Sequence, residues 1–417
     1  MNRVKWIFFF SLVFSLFAQD NYLESSSAGE QIKVGLVSFR SDASLEDQRV
    51  TVQKVLQFDL GLDGRFQLLH KDKISPLWVN QGVQYFVTGK LNPTLDDQIQ
   101  MELNLNDMYT GDALLGKLYT VDQKGLRKAV HHFTEQLIAQ IYGTPGVGTS
   151  KLLYIQKVRG VKNLVQMDYD GANRQQITSG PTIKTFPEWG PNGNSVLFTA
   201  FAEEGTQLRQ VRLRDGKSRT LYAGKMQAFL PRMSPDQKSL AFVGVKNRNT
   251  DLYQLDLASK KVQQITSGPR AETSPAWAPE GKDLYFSLER GGGPQIYKMN
   301  LEKGEAERVT FIGRYNESVA VSPEGDKIAY CSMGGGEINL FTMDLFTGEI
   351  VQLTAGQGNN ESPTWSPDGR LIAFSSTRTG KSQLYVMRAD GTGVLRLTSK
   401  GENSQPVWSR LWNEKGE

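Results

Sequence analysis

Short apolar runs recur through the second part of the chain with a constant spacing of 44 residues. Successive runs begin at Leu152, Val196, Leu240, Leu284, Ile328 and Ile372. Turn prolines keep the same spacing, at Pro191, Pro235, Pro279, Pro323 and Pro367. Self-similarity at this period predicts a repeat architecture, because one such unit cannot bury its apolar faces alone.

Each unit is predicted to contain four short strands. In the clearest copy these strands are residues 363–366, 371–376, 383–388 and 394–398. The sequence Ser366-Pro367-Asp368-Gly369 between the first two strands has the residue types of a type I turn. Four strands in each of six units predict a six-bladed β-propeller, whose radial closure protects the sheet edges.

The two ends of the repeat region are predicted to meet in one blade. The first unit, at Leu152, begins with what is the second strand of every later unit. The C-terminal copy of the missing first strand is residues 405–409, which include Trp408. We therefore expect a C-terminal strand to close the ring. The tryptophans that recur two residues before a turn proline are expected to pack between blades; they are Trp189, Trp277 and Trp365.

A separate α/β domain is predicted for residues 31–143. Residues 32–39 alternate as in a strand, and Ser44 with Asp47 resembles a capping box that opens a helix ending near Gly61. Further strands are predicted at residues 65–70, 83–91, 98–107 and 113–121. A second helix, residues 126–142, has a continuous apolar face. The predicted fold is therefore a small α/β domain, with a mixed sheet and two helices, then a linker (144–151) and the propeller (152–417).

The first 18 residues have the pattern of a secretory signal peptide. Arg3 and Lys5 precede an apolar segment, residues 6–17, that is short for a membrane span. Cleavage is expected after Ala18, with a second possible position near Ala28 and an uncleaved anchor as the alternative. Residues 19–30 are then expected to form a flexible N-terminal segment of a secreted, periplasmic protein.

Charge and cysteine content exclude some classes of protein. The formal net charge is only +4 and no dense basic run is present, so nucleic-acid binding has no electrostatic basis. The single cysteine, Cys331, cannot form a disulfide within the chain. No catalytic, cofactor or metal site is predicted. His131 and His132 are adjacent on one helix and point in different directions, so they are expected to be structural or solvated.

Several segments of this chain resemble the TolB family, the periplasmic propeller proteins of the Tol–Pal cell-envelope system. In the N-terminal domain the similarity includes Asp59-Leu60 with Gly64-Arg65-Phe66, Thr88-Gly89 and the run 103–107. It continues through the helix exit, residues 142–146, into the first blade. The resemblance implies a non-catalytic monomeric adaptor that supports outer-membrane integrity and envelope constriction at cell division.

One face of the propeller is the expected binding surface. In a propeller, the connections between blades cross one face and reach the channel mouth, where one position per blade forms a ring: Thr185, Phe229, Thr273, Glu317, Glu361 and Ser404. The resemblance implies that this face binds Pal, the peptidoglycan-associated lipoprotein, which would place the protein at the periphery of the outer membrane. Matching family interface positions picks out Gln227, Leu230 and Thr273, and the ring adds Glu317 and Glu361 to the expected Pal-binding residues.

The resemblance also implies a second contact, in which the mature N-terminus binds the C-terminal domain of TolA by strand addition. The corresponding residues are Gln19, Asp20, Asn21, Tyr22 and Leu23, although only two of them are apolar. The alternative to an adaptor is a secreted propeller that binds a small ligand or sugar, or hydrolyses one, in its channel. The adaptor reading predicts a polar channel without a strongly perturbed titratable pair.

Overall fold

The computed structural model describes residues 31–411. The N-terminal domain contains strands β1 to β6, at Ile32–Val37, Arg40–Ser41, Phe66–Lys71, Tyr85–Pro93, Ile99–Asp107 and Ala113–Val121. Its helices are α1 to α3, at Glu46–Asp63, Leu77–Asn80 and Leu126–Tyr142. The sheet order is β3-β1-β4-β5-β6, with β2 beside β4. Strands β1, β3 and β4 run parallel, while β4, β5 and β6 are antiparallel, so the predicted mixed sheet is confirmed.

Helix α3 follows its sequence pattern, whereas α1 begins and ends differently from the prediction. The apolar face of α3 is buried against the sheet and α1, and the helix ends at Gly143, which has a φ of 76°. At the start of α1, the Asp42 side chain accepts a hydrogen bond from the Ser44 amide and caps a short 3-10 turn at Ala43–Leu45. The predicted Ser44 cap is therefore wrong, because the acid two residues earlier takes that role. The helix also passes Gly61 and ends at Gly64.

The described residues after Ser150 form six four-stranded antiparallel sheets. We number these blades 1 to 6 along the chain, starting with the blade that contains Lys151. Blades 2 to 6 each follow chain order from the channel outward. Their strands are β10–β13 (Ile183–Trp189, Ser195–Ala202, Gly205–Arg212, Ser218–Tyr222), β14–β17 (Gln227–Met233, Ser239–Lys246, Asn249–Asp256, Val262–Gln264), β18–β21 (Glu272–Trp277, Asp283–Glu289, Pro294–Asn300, Glu305–Arg308), β22–β25 (Asn316–Val321, Lys327–Gly334, Glu337–Asp344, Ile350–Gln352) and β26–β29 (Asn360–Trp365, Leu371–Ser376, Gln383–Arg388, Leu395–Arg396).

Blade 1 joins the two ends of the propeller, as predicted. It consists of β30 (Glu402–Trp408), β7 (Lys151–Val158), β8 (Val161–Asp168) and β9 (Gln175–Gln176), in that order. Strand β30 pairs antiparallel with β7, and the Trp408 indole donates a hydrogen bond of 2.8 Å to the Ser150 hydroxyl. The indoles of the recurring tryptophans bond to backbone carbonyls of the preceding blade; these are Trp189 to Val407, Trp277 to Arg232 and Trp365 to Ala320.

The propeller has two different faces. The crossover face carries the connections between blades and the start of each first strand. The turn face carries the proline turns between first and second strands. The N-terminal domain contacts the turn face at blades 1 and 6, where Arg388 donates to the carbonyls of Gly61 and Leu62. The contacts between the domains therefore lie at the end of the propeller opposite the predicted binding face. No helix within residues 31–411 meets the length and hydrophobicity required to span a membrane.

Candidate partner-binding face of the propeller

The first strand of every blade has a β-bulge at the same position. At each bulge the register with the second strand shifts, and one residue has a left-handed backbone conformation with φ between 51° and 56°; these residues are Phe186, Leu230, Ser274, Ser318, Ser362 and Gln405. The residue that follows is proline in five blades and Val319 in the other. Proline fits here because a bulge leaves one strand amide outside the hydrogen-bond ladder. The bulges aim one side chain per blade at the channel.

The bulge residues line a narrow part of the central channel. A cavity of about 190 Å³ is bounded by all six of them. A wider cavity of about 560 Å³ follows toward the turn face and is lined by the ends of the first strands and the turn prolines. Leu230 is one of the bulge residues and so lies at the channel itself, rather than on the outer rim.

The predicted ring positions each directly precede a bulge residue, so all six lie at the same level of the channel on the crossover side. Thr185 is buried, Glu361 is exposed, and Phe229, Thr273, Glu317 and Ser404 are half-buried. Gln227 is exposed at the first position of β14, two residues before the ring position Phe229. The structure thus brings Gln227, Leu230 and Thr273 onto neighbouring blades 3 and 4, and Glu317 and Glu361 onto blades 5 and 6.

The rim of the crossover face carries both exposed apolar side chains and acidic side chains. In blades 2 and 3, the rings of Phe201 and Phe229 lie 5.9 Å apart, and Ile183 and Phe201 are 44% and 42% exposed. In blades 5 and 6, Glu361 is exposed as a residue, but the channel wall desolvates its carboxyl group, and this desolvation and the charge of Glu317 raise its pKa. Burial and Glu317 also raise the pKa of Tyr315 to about 12, and the Tyr315 hydroxyl donates to the Glu317 carboxylate at 2.8 Å. An incoming partner would therefore meet both hydrophobic and negative surfaces around one opening, since Phe311 in the crossover into blade 5 is also exposed.

The channel also holds a titratable pair that the sequence did not predict. Glu188 lies 3.5 Å from the Arg232 guanidinium of the next blade. Burial raises the pKa of Glu188 to about 7, although Arg232 and Arg410 act in the opposite direction. The expectation of a channel without a perturbed titratable pair is therefore wrong. Glu188 and Arg232 each lie three residues after the ring position of their strand, Thr185 or Phe229. An alignment of the repeats therefore shows that the two residues are neighbours in the channel.

A buried polar cluster joins the two domains on the turn face. His131 Nδ1 lies 2.9 Å from Asp59 Oδ2, and its Nε2 lies 3.4 Å from Asp170 Oδ2 in the turn after β8. Burial alone would lower the pKa of His131, but the carboxylates of Asp59 and Asp170 raise it to about 10. The Tyr169 hydroxyl also donates to Asp59. His131 is thus structural, as expected, but it acts between domains.

The same cluster contains one group of residues with metal-ligand chemistry. Ligand atoms of His131, Asp168 and Asp170 lie within 4.8 Å of one another. The carboxylates already have cationic or amide partners, because Asp168 contacts Lys151 at 3.1 Å and Asn173 at 2.6 Å, and Asp170 contacts Arg127. These contacts fit an ion-pair network between the domains. The residues predicted to bind TolA, Gln19 to Leu23, and the signal peptide lie outside the described residues.

Comparisons with known proteins agree with this architecture. The family model described as the TolB beta propeller domain matches residues 138–411. A Tol-Pal system protein TolB from Polaromonas sp. is 30% identical over 214 residues, which are 49% of this chain and 50% of that protein. The corresponding protein from Desulfosudis oleivorans is 36% identical over 140 residues, covering 34% and 32% of the two chains. The chain thus spans half or less of the length of these curated relatives.

The match to a solved structure extends over both domains. The crystal structure of TolB from Acinetobacter baumannii superimposes with a TM-score of 0.81 and 26% identity, covering 92% of this chain and 97% of that one. A putative TolB from Agrobacterium tumefaciens, 20% identical, has a TM-score of 0.51 over 61% of this chain and shares the fold. The family model covers more than half of the sequence, and the paired domains match a solved member. The chain belongs to the TolB β-propeller family.

Proposed function

We propose that this protein is a periplasmic, non-catalytic adaptor of the Tol–Pal system that binds the peptidoglycan-associated lipoprotein Pal through its crossover face. The main support for the proposal is that, in a chain of the TolB family, this face has an open channel mouth. Six bulged strands surround one opening, and the N-terminal domain is bound at the other end of the propeller. The opening is therefore accessible to a protein projection.

The chemistry of the rim supports a protein partner. Protein interfaces are anchored by apolar and aromatic side chains in partly desolvated pockets, with polar groups around them. Here Leu230 and Phe229 supply the apolar anchor, Gln227 and Thr273 lie beside it, and the acidic residues lie on the same rim. We propose Gln227, Leu230, Thr273, Glu317 and Glu361 as the Pal-binding residues.

A non-catalytic role is proposed because Glu188, the acid in the channel, is paired with Arg232. Glu188 has a raised pKa, which is common among catalytic acids, but its carboxylate is paired with Arg232. General acid–base chemistry requires a free group within reach of a substrate. Small-ligand binding is the second candidate function, because the 560 Å³ cavity around this pair has the size of a ligand site.

We propose that residues 1–18 direct secretion to the periplasm and are removed. The following segment, including Gln19 to Leu23, is proposed to bind TolA by strand addition. These two contacts would link Pal at the outer membrane to the rest of the envelope system during cell division, with the protein acting as a monomer.

Calorimetric titration with the soluble periplasmic domain of Pal from the same organism tests the proposed face. The double variant Leu230→Arg/Thr273→Arg places two cations and two long side chains at the opening, and we expect at least a 100-fold loss of affinity. The matched control is Ala258→Arg/Phe346→Arg, which adds the same charge at exposed positions of the turn face. This control should bind Pal as the wild type does.

Circular dichroism melting curves of both double variants would show whether the propeller remains folded. Wild-type affinity in the folded Leu230→Arg/Thr273→Arg variant would overturn the assignment of the face. An absence of Pal binding by the wild type at high micromolar concentration would overturn the adaptor proposal and favour the small-ligand alternative.

A further inference from the structure

Four of the six blade interfaces repeat one buried polar contact between side chains. The residue just before each ring position comes from the first strand of one blade and faces the third strand of the preceding blade. In four interfaces it is a nitrogen donor that contacts a side-chain oxygen; the pairs are Lys184 with Asn163 (3.2 Å), Asn316 with Gln295 (2.9 Å), Asn360 with Asn339 (3.4 Å) and Asn403 with Gln383 (2.9 Å). These donors also bond to backbone carbonyls of the crossover.

The other two interfaces differ: blade 3 has Ala228 at this position, and the interface between blades 3 and 4 has a pair of acids. The donor position is occupied by Glu272 and the acceptor position by Asp251, so two carboxyl groups face each other. Their residues are only 6% and 3% exposed. Asp251 Oδ2 accepts from Gln264, but Asp251 Oδ1 has no hydrogen-bond partner among the described residues. A buried carboxylate without a donor is costly, so this position has the chemistry of a site for a positive group.

The interface between blades 1 and 2 shows what occupies the equivalent position. The crossovers of the two interfaces have the same sequence, Gln-Gln-Ile-Thr-Ser-Gly-Pro, at residues 175–181 and 263–269. In the first, the Lys184 ammonium lies 2.8 Å from the Ser179 carbonyl and 2.9 Å from the Gly180 carbonyl. Lys184 and Glu272 both lie four residues after the glycine of this sequence. One crossover therefore already holds a cation supplied by the chain itself.

We propose that Asp251 and Glu272 bind a divalent cation of the calcium class between blades 3 and 4, in the position where Lys184 places its ammonium between blades 1 and 2. The two carboxylates would neutralise the ion. The Thr266 hydroxyl lies 3.4 Å from Glu272 Oε2 and would be a further oxygen ligand. The carbonyls of Ser267 and Gly268 would join it if the crossover adopted the conformation seen around Lys184. Calcium accepts six to eight such oxygens in flexible geometry, and water completes the set.

The crossover places a glycine beside the carboxyl pair. A Cβ atom built on Gly268 would lie 3.9 Å from Glu272 Oε1, so the backbone of this glycine is beside the carboxyl group. Gly180 has a φ of 89°, which Gly268 does not share. To reproduce the Lys184 arrangement fully, the chain would rotate at Gly268, and glycine permits this rotation without a steric cost.

Protons compete with the cation for this site. Burial and the charge of Asp251 raise the pKa of Glu272 to about 7. Arg248 and Arg270 stand nearby on exposed loops, with Glu289, around a separate surface cavity. A proton on Glu272 lets the two carboxyl groups share a hydrogen bond, whereas its loss as pH rises leaves a negative charge that a cation would neutralise.

The test is thermal unfolding of the chelator-treated protein at pH 8.0, with and without 5 mM calcium chloride. Since a ligand that binds only the folded state raises its stability, we expect the wild-type melting temperature to rise by about 2–5 °C. Glu272→Asn restores the amide present at three other interfaces, so its melting temperature should not respond to calcium. The control variant Glu361→Gln removes an acid from the channel rim and should keep the full response. At pH 5.5 the wild-type response should be lost.

Calorimetric titration of calcium into the same proteins provides a second readout that does not depend on unfolding. A binding event present in the wild type and in Glu361→Gln, but absent in Glu272→Asn and Asp251→Asn, would support the site. Equal responses of the wild type and Glu272→Asn would overturn it. A calcium-independent fall in wild-type stability between pH 5 and 8 that is absent in Glu272→Asn would also overturn it, because the pair would then hold a proton instead of a metal ion.

Discussion

At the scale of single residues, His131 has the clearest physical role. It is buried between Asp59, in its own domain, and Asp170, in the first blade, and Arg127 also contacts Asp170. The sequence places Asp59 72 residues away from His131, so the pairing follows only from the fold. The adjacent His132 points outward to Tyr119 and Gln136, as expected for neighbouring residues on one helix.

The charge of His131 predicts how stability depends on pH. Its folded-state pKa of about 10 lies above the unfolded value of 6.5, so its contribution is complete below pH 6.5 and is lost as pH rises through 10. We expect the urea midpoint of the wild type to fall between pH 7.5 and 9.5. His131→Asn should remove this dependence of the urea midpoint on pH. It should also lower the free energy of unfolding by about 3 kcal/mol at pH 7.5, because it leaves Asp59 and Asp170 without their shared cation.

His132→Asn is the matched control for this experiment. It changes the same residue type one position away, on the exposed side of α3, and should keep the wild-type pH profile. The range stops at pH 9.5 because burial and Asp59 raise the pKa of Tyr169 well above its usual value, which adds a second loss of stability at higher pH. A His131→Asn protein with an unchanged slope would contradict the assigned protonation.

At the scale of elements, much of the fold could be predicted because the repeats supply internal comparisons. Four strands per blade, the closing strand and helix α3 all follow from periodicity and turn residues. The bulges could not be predicted, since a left-handed residue such as Ser274 or Leu230 is not distinguished by its type. The start of α1 was also missed, because Asp42 and Ser44 are both suitable caps and only the backbone decides between them. Of the candidate face, the sequence predicted the level of the ring but not which side chains enter the channel.

The left-handed bulge conformation predicts a position-specific effect of β-branched residues. Ser274 has a φ of 53°, a region in which a β-branched side chain clashes with its own backbone. Ser274→Val should therefore reduce the free energy of unfolding by about 1–2 kcal/mol. Thr273→Val, at the preceding extended residue, should change it by less than about 0.5 kcal/mol. Chemical denaturation measures both, and Ser274→Gly should retain stability; equal effects of the two valine substitutions would show that the bulge is not strained.

At the scale of the whole molecule, ring closure and the contact between the two domains share one junction. The two ends of the propeller meet in blade 1, and blades 1 and 6 also carry the N-terminal domain. Tyr169, in the turn after β8, contacts both His131 of the N-terminal domain and Trp408 of the closing strand, with ring centroids 5.6 and 6.3 Å apart. Closure of the ring and docking of the domain therefore depend on shared side chains, and the opposite face remains available for a partner.

This shared junction predicts the effect of removing the closing strand. Truncation after Gly401 deletes β30, leaves β7 as an exposed edge beside the channel, and removes the Trp408 contacts with Ser150 and Tyr169. Because each blade is stabilised mainly by its neighbours, we expect the whole propeller to melt at least 10 °C lower, with weaker protection of the N-terminal domain in hydrogen exchange.

Truncation after Leu411 is the control, since it keeps every contact of the described residues and should melt with the wild type. Hydrogen exchange of the Gly401 truncation distinguishes two results that would contradict this prediction. If only β7 and β8 lose protection while blades 3 and 4 keep theirs, the blades are independently stable and the ring does not act as one unit. If the propeller loosens while α1 and α3 remain fully protected, the N-terminal domain is stable without the junction, and Tyr169 does not couple the two domains.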